Sequence, residues 1–243
     1  MKFLKKLESA KWIIITVFLS LVIASLILWI FFGSCKNTNS NQPIPPMPPI
    51  GYEGYGTLTF TSPSGTLTTV PICPKAQAMS RSLWEQHGIR TRDYIVKYLD
   101  DHPAQSVSAS ATTLLQNQED IGNYVNSVVP GTRDVTTKLL KEHIMIAVDI
   151  LKDVKEQRSP DADVKRWYQN ADTIAQTLAP ALKLDVPTLK QMMHNHLETT
   201  LQEALLHYQG KTNEESLMVD QVFKHLAIMS DYLISTVKCT CPT

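Results

Sequence analysis

The 243-residue chain lacks most of the motifs that announce an enzyme. Its nine glycines are scattered and nowhere form a phosphate-cradling loop, and neither a G-x-S-x-G elbow nor H-E-x-x-H occurs. The serines fall mostly where helix ends and loops are expected, so a hydrolase or nucleotide enzyme has no visible basis. No Glu-x-x-His pair is present either, which removes the carboxylate–histidine pattern of bundle di-iron proteins. Basic residues are unclustered, and 23 Lys and Arg are balanced by 23 Asp and Glu, so the chain offers no nucleic-acid surface.

What is present begins with a long apolar run. Residues 12–32, WIIITVFLSLVIASLILWIFF, carry no charge, and 21 residues as a helix span a hydrocarbon core of about 30 Å. Trp12 and Trp29 stand near the two ends, Lys2, Lys5, Lys6 and Lys11 precede the run, and only Lys36 follows closely. This asymmetry keeps residues 1–11 in the cytosol and puts the rest outside or in a lumen. The run exceeds the apolar core of a cleaved signal, and no A-x-A site follows, so it reads as an uncleaved anchor. The alternative, a lipid-bearing Cys35 at the end of FGSC, also leaves the chain on a membrane. Residues 1–36 hold five of the basic and one of the acidic residues, so the remainder has a net charge of about −4.

Residues 33–56 are polar, then Pro-rich, then Gly-containing, the composition of an extended stalk. Residues 57–72 hold two Thr-rich β-prone runs around Pro63, Ser64 and Gly65, and predict a small hairpin that must pack on something larger. Residues 73–243 read as a helical-bundle domain. Helices are expected at 76–99, 106–128, 134–156, 161–182, 187–209 and 213–237, separated by breakers such as DDHP, VVPGT and RSPD. Pro160 and Pro187 suit first-turn positions, and Thr212 with Glu215 spells a capping box. Short connections between helices of similar length predict an all-α, up-and-down antiparallel bundle.

At about 100° per residue, the apolar stripes of four helices centre on a histidine: His87, His143, His196 and His225. The second helix centres on Gln118, and the fourth on Ala171. Midpoints of antiparallel helices share a level, so the histidines are expected in one buried polar layer. Three readings compete. In the first, neutral imidazoles bond to Gln118, Thr91, Thr200, Tyr94 or Tyr232 and make a polar core. In the second, the four histidines hold a transition metal such as zinc, iron or copper, for metal-binding or redox work. In the third, they line a small-molecule or catalytic pocket. Glu203 shares the His196 face and is expected to meet Arg90, while His194 and Glu198 form a solvated pair.

Cys73 precedes the first helix, and Cys239 and Cys241 follow the last. An even number of alternating helices returns the chain to its starting end, so Cys73 can bond to either of the other two in an oxidising compartment. The Cys-x-Cys pair is alternatively a metal ligand, and one cysteine remains for Cys35 or another subunit.

The segments LWEQHGIRTRDYI, LLQNQEDIG, LLKEHIMIAVDIL, RWYQNADTIAQTL and MMHNHLETTLQEA, in this order, resemble a family of small helical-bundle proteins of spore-forming bacteria, also carried by large DNA viruses. The resemblance covers about residues 80–205 and implies the all-helical domain and an outside location, but no activity. A viral origin would make the chain a virion or viral-membrane protein. The sequence thus leads to a membrane-anchored extracytoplasmic bundle acting as a structural or binding module, whose partners are membrane lipid and a protein or second copy. The metal-binding or redox bundle is the alternative.

Overall fold

The computed structural model describes residues 56–239. The expected anchor at 12–32, the stalk up to Tyr55, Cys35 and Cys241 lie outside the described residues. Among the described residues no helix is long and apolar enough to cross a membrane.

Two strands, β1 (Thr57–Thr61) and β2 (Leu67–Pro71), pair antiparallel with Thr59 opposite Thr69. Six helices follow: α1 Pro74–Leu99, α2 Ala104–Val128, α3 Arg133–Lys155, α4 Asp161–Leu182, α5 Val186–Tyr208 and α6 Thr212–Leu233. The hairpin turn uses Gly65 at φ +81°, where the absent Cβ removes the usual steric penalty. Two strands alone are marginal, and this pair leans on the bundle: Leu58 and Ile72 are buried, and Phe60 meets Tyr232 of α6 edge-on with ring centroids 5.0 Å apart.

The helices hold 22 to 26 residues and the connections three to five, so each helix folds back along its predecessor. Every consecutive pair packs together and α6 packs on α1, which closes a ring. Helices α1, α3 and α5 also touch one another across the middle. Close approach needs small residues at two places. A Cβ on Gly88 would stand 2.8 Å from Leu226 of α6, and one on Gly122 would stand 2.1 Å from the Thr137 hydroxyl of α3.

Ring closure is polar as well as apolar. Asp231 of α6 is buried, accepts two bonds from the Arg81 guanidinium at 2.9 and 2.6 Å, and accepts a third from Gln77 at 2.8 Å. Gln77 in turn accepts from the Gly56 backbone N–H, which ties the hairpin to the same joint. Nearby, Cys73 and Cys239 form a disulfide with Cα atoms 5.0 Å apart, one of the two pairings the sequence allowed.

Most helix ends fall within two residues of expectation, and the larger differences, at the end of α6 and at the helix caps, have physical reasons. Helix α6 stops at Leu233 rather than 237, because residues 234–237 turn to bring Cys239 toward Cys73, and Thr236 there donates to the Leu182 carbonyl. The capping box at Thr212 does not form. Lys211 occupies the N-cap, and Glu215 is drawn inward by Arg92 at 2.7 Å and His207 at 3.0 Å. Pro160 is the N-cap of α4 rather than a first-turn residue, whereas Asp185 caps α5 by accepting from the Thr188 N–H, with Pro187 in the first turn.

Three outcomes test the closed ring. Asp231→Ala leaves Arg81 and Gln77 facing an empty acceptor site, and is expected to cost about 3 kcal/mol, or roughly 6–12 °C in Tm for a domain of this size. Peptide mapping without reduction is expected to recover Cys73 joined to Cys239. In the chain-entropy account, Cys73→Ser then lowers stability by up to about 5 kcal/mol, because the loop closed is very long.

Candidate functional site: a histidine-lined cavity

The residues expected at the centres of the six stripes are all buried: His87, Gln118, His143, Ala171, His196 and His225. Three of the four histidines come from α1, α3 and α5, the helices that meet across the ring. Their rings cluster there, with His87 and His196 centroids 5.6 Å apart and His143 and His196 6.2 Å apart. His225 of α6 is held differently, its Nε2 donating to the Met192 carbonyl of α5 at 2.7 Å.

The surrounding amides set the tautomers. Gln118 Nε2 donates to the Leu114 carbonyl at 2.9 Å and to His87 Nδ1 at 3.2 Å, so that ring nitrogen accepts and the proton sits on Nε2. Asn170 Nδ2 donates to the Leu139 carbonyl, which turns its Oδ1 toward His143 Nδ1 at 2.9 Å. His143 therefore carries its proton on Nδ1 and its lone pair on Nε2. That Nε2 is buried and has no hydrogen-bond partner. His196 Nδ1 has only a long contact of 3.4 Å to the Thr200 hydroxyl. Trp84 and Trp167 flank the cluster, with ring centroids 5.6 Å from His87 and 5.1 Å from His143.

Burial keeps these rings uncharged. Desolvation first, then the neighbouring His143, holds His87 down at about 3, and desolvation holds His143 at about 4. His196 is pushed well below the ordinary value by burial and then by the other histidines, and burial lowers His225 as well. All four are neutral at pH 7.

Beside this cluster lies a cavity of about 40 Å³, lined by His87, His143 and His196 together with Thr91 and largely apolar side chains. It separates two apolar clusters: Ile150 and Trp167 belong to the larger, Tyr94, Ile95 and Leu114 to the smaller. Thr91 Oγ1, like His143 Nε2, is buried without a partner. Of the partners expected for the histidines, Gln118 and Thr200 serve, Thr91 does not, and Tyr232 bonds instead to the Asp185 backbone. Asn170 and the Met192 carbonyl were not foreseen. Asn170 was legible only as a buried polar residue near the centre of its helix, and a backbone carbonyl carries no sequence signal.

Other expected pairs rearrange. Arg92, not Arg90, meets Glu203, at 2.7 Å, and also holds Glu215, while Arg90 donates to the Thr113 carbonyl and to Gln86. Arg92 stands five residues beyond His87 and lies far enough round the helix to reach both α5 and α6. His194 pairs with Asp172 of α4 at 2.7 Å rather than with Glu198. As metal ligands the four histidines are not one set. Among the described residues, no group of three or more His, Cys, Asp or Glu is placed to hold a metal ion.

The depressed histidines make the fold acid-sensitive. The unfolded chain takes up protons on these imidazoles below about pH 6.5, whereas the folded chain does not until about pH 4 for His143 and 3 for His87. The unfolded state thus binds more protons in this window, and stability is full above pH 6.5 and lost as pH falls. His87 and His143 alone are expected to remove about 4 kcal/mol between pH 7 and 5. Denaturant melts across this range check it. His87→Gln is expected to cost about 1–2 kcal/mol at pH 7.5 and to flatten the slope by up to one proton.

No protein-family model, curated protein or solved structure matches this chain.

Proposed function

We propose that the chain is a single-pass, membrane-anchored protein that presents its disulfide-closed helical bundle outside the cytosol as a structural or binding module. The observation that carries this reading is the Cys73–Cys239 bond, which persists in oxidising compartments and is rare in the cytosol. Two sequence features support it: the uncharged run at 12–32 and the excess of lysine before it. Gly56, the residue before the hairpin, is hydrogen-bonded to Gln77 near the disulfide end of the bundle. A module displayed in this way contacts lipid through its anchor and a protein or second copy through its outer helix faces.

A second reading, a metal-binding or redox bundle, draws on the meeting of His87, His143 and His196. It has less support, because His225 is committed to a backbone carbonyl and the remaining three rings are not arranged as a ligand set.

Protease added to intact cells or correctly oriented vesicles is expected to remove the bundle and leave a short amino-terminal fragment protected. A fully protected bundle reverses the orientation and overturns the proposal.

A further inference from the structure

We infer that the disulfide end of the bundle is a docking surface for a lipid bilayer carrying anionic headgroups, engaged by Lys75, Lys183 and Lys238. Such docking deepens the membrane-anchored reading proposed above and rests on it, since an anchor keeps the bundle within reach of a bilayer. Helix alternation brings the first turn of α1, the last turns of α2 and α4 and the segment after α6 to one end, where they surround an open cleft of about 1180 Å³. The three lysines line that cleft and are exposed, and no carboxylate is among the described lining residues. None of the three forms an ion pair with a described residue. At the opposite end the cations are held locally, Lys155 by Asp101 and Arg158 by Asp153 and Glu156.

The tail after α6 fixes the lysines relative to one another. Lys75 follows Cys73 by two residues and Lys238 precedes Cys239, so the disulfide sets both at one joint. Lys183 follows Leu182, whose carbonyl accepts from Thr236 of the same tail. Asp185, the carboxylate nearest to Lys183 in sequence, is committed to the Thr188 N–H and hydroxyl. Apolar groups share the cleft: Met79 is 52% exposed, and Val128, Val129 and Val237 are half-buried. Unpaired ammonium groups beside exposed hydrocarbon match the phosphates and the underlying apolar zone of a bilayer surface, where each lysine strengthens the contact about fivefold. An acidic protein would meet the lysines but leave the exposed methionine unanswered. The net charge of about −4 on residues 37–243 opposes approach of an anionic bilayer elsewhere, so the cluster also orients the bundle.

The test uses the full chain reconstituted into vesicles of phosphatidylcholine, alone or mixed with phosphatidylglycerol. A membrane-impermeant acetylating reagent is read out lysine by lysine by mass spectrometry. In the anionic vesicles, acetylation of Lys75, Lys183 and Lys238 is expected to slow about threefold or more, with exposed Lys211 and Lys224 unchanged and the difference abolished by high salt. Lys75→Glu, at an exposed first-turn position where an acidic residue suits the helix, is expected to return Lys183 and Lys238 toward their rates in neutral vesicles. Equal rates in the two kinds of vesicle overturn the docking, whether the three lysines stay open or are covered in both, as a second copy would cover them. Protection that Lys75→Glu leaves intact overturns it too. Flotation with the neutral vesicles reports the anchor separately: a chain left behind contradicts the membrane-anchored reading, while the footprint in anionic vesicles still decides the docking.

Discussion

A ring of six helices has a middle that must be filled, and the rest of this structure depends on how that is done. Helices α1, α3 and α5 approach one another across the ring, and at their midpoints the filling side chains are imidazoles. An apolar filling would need no partners. Imidazoles need neutral tautomers and specific acceptors or donors, and the neighbouring helices supply them: Gln118 from α2 for His87, and Asn170 from α4 for His143. The outer helices of the ring therefore orient the side chains of the inner three. A small cavity beside these rings shows that the filling is not complete.

Closure at the two ends of the bundle uses different chemistry. At the hairpin end, Asp231 gathers Arg81 and Gln77, and the disulfide joins the start of α1 to the segment after α6. At the opposite end, Arg92 of α1 lies between Glu203 of α5 and Glu215 of α6, and His207 links Glu215 to Asp100. Burial raises the Glu203 carboxyl and the Arg92 guanidinium counters it, so the arginine fixes which helices meet as much as it adds stability. Both ends join α1 to α6, the contact between the most distant helices in sequence. This contact closes the longest loop between helices of the bundle, and buried ion pairs are found at both of its ends.

Much of this architecture is legible in the sequence because helix periodicity and breakers are local signals. All six stripe centres, from His87 to His225, are buried as their spacing implies, and the α4 boundaries agree at both ends. Local signals fail where a distant partner competes. Glu215 has the right spacing for a capping box, but the Arg92 guanidinium and a ring nitrogen of His207 offer it partners from other helices. Nothing within 234–237 stops a helix, yet the disulfide requires a turn there. The histidines illustrate the same limit. Their common level follows from helix length, whereas the different bonding of His225 depends on helix rotation and on a backbone carbonyl that no side-chain pattern encodes.

Neutral imidazoles, with tautomers dictated by amides from adjacent helices, fill the middle of the ring. The most direct test is side-chain nitrogen NMR of the full chain labelled with ¹⁵N-histidine, followed from pH 7.5 to 5. His143 is expected to be protonated on Nδ1 alone and His87 on Nε2 alone, with both signals unchanged as long as the chain stays folded. A charged imidazolium pattern at either residue near pH 6.5, or the opposite tautomer at either, would contradict it.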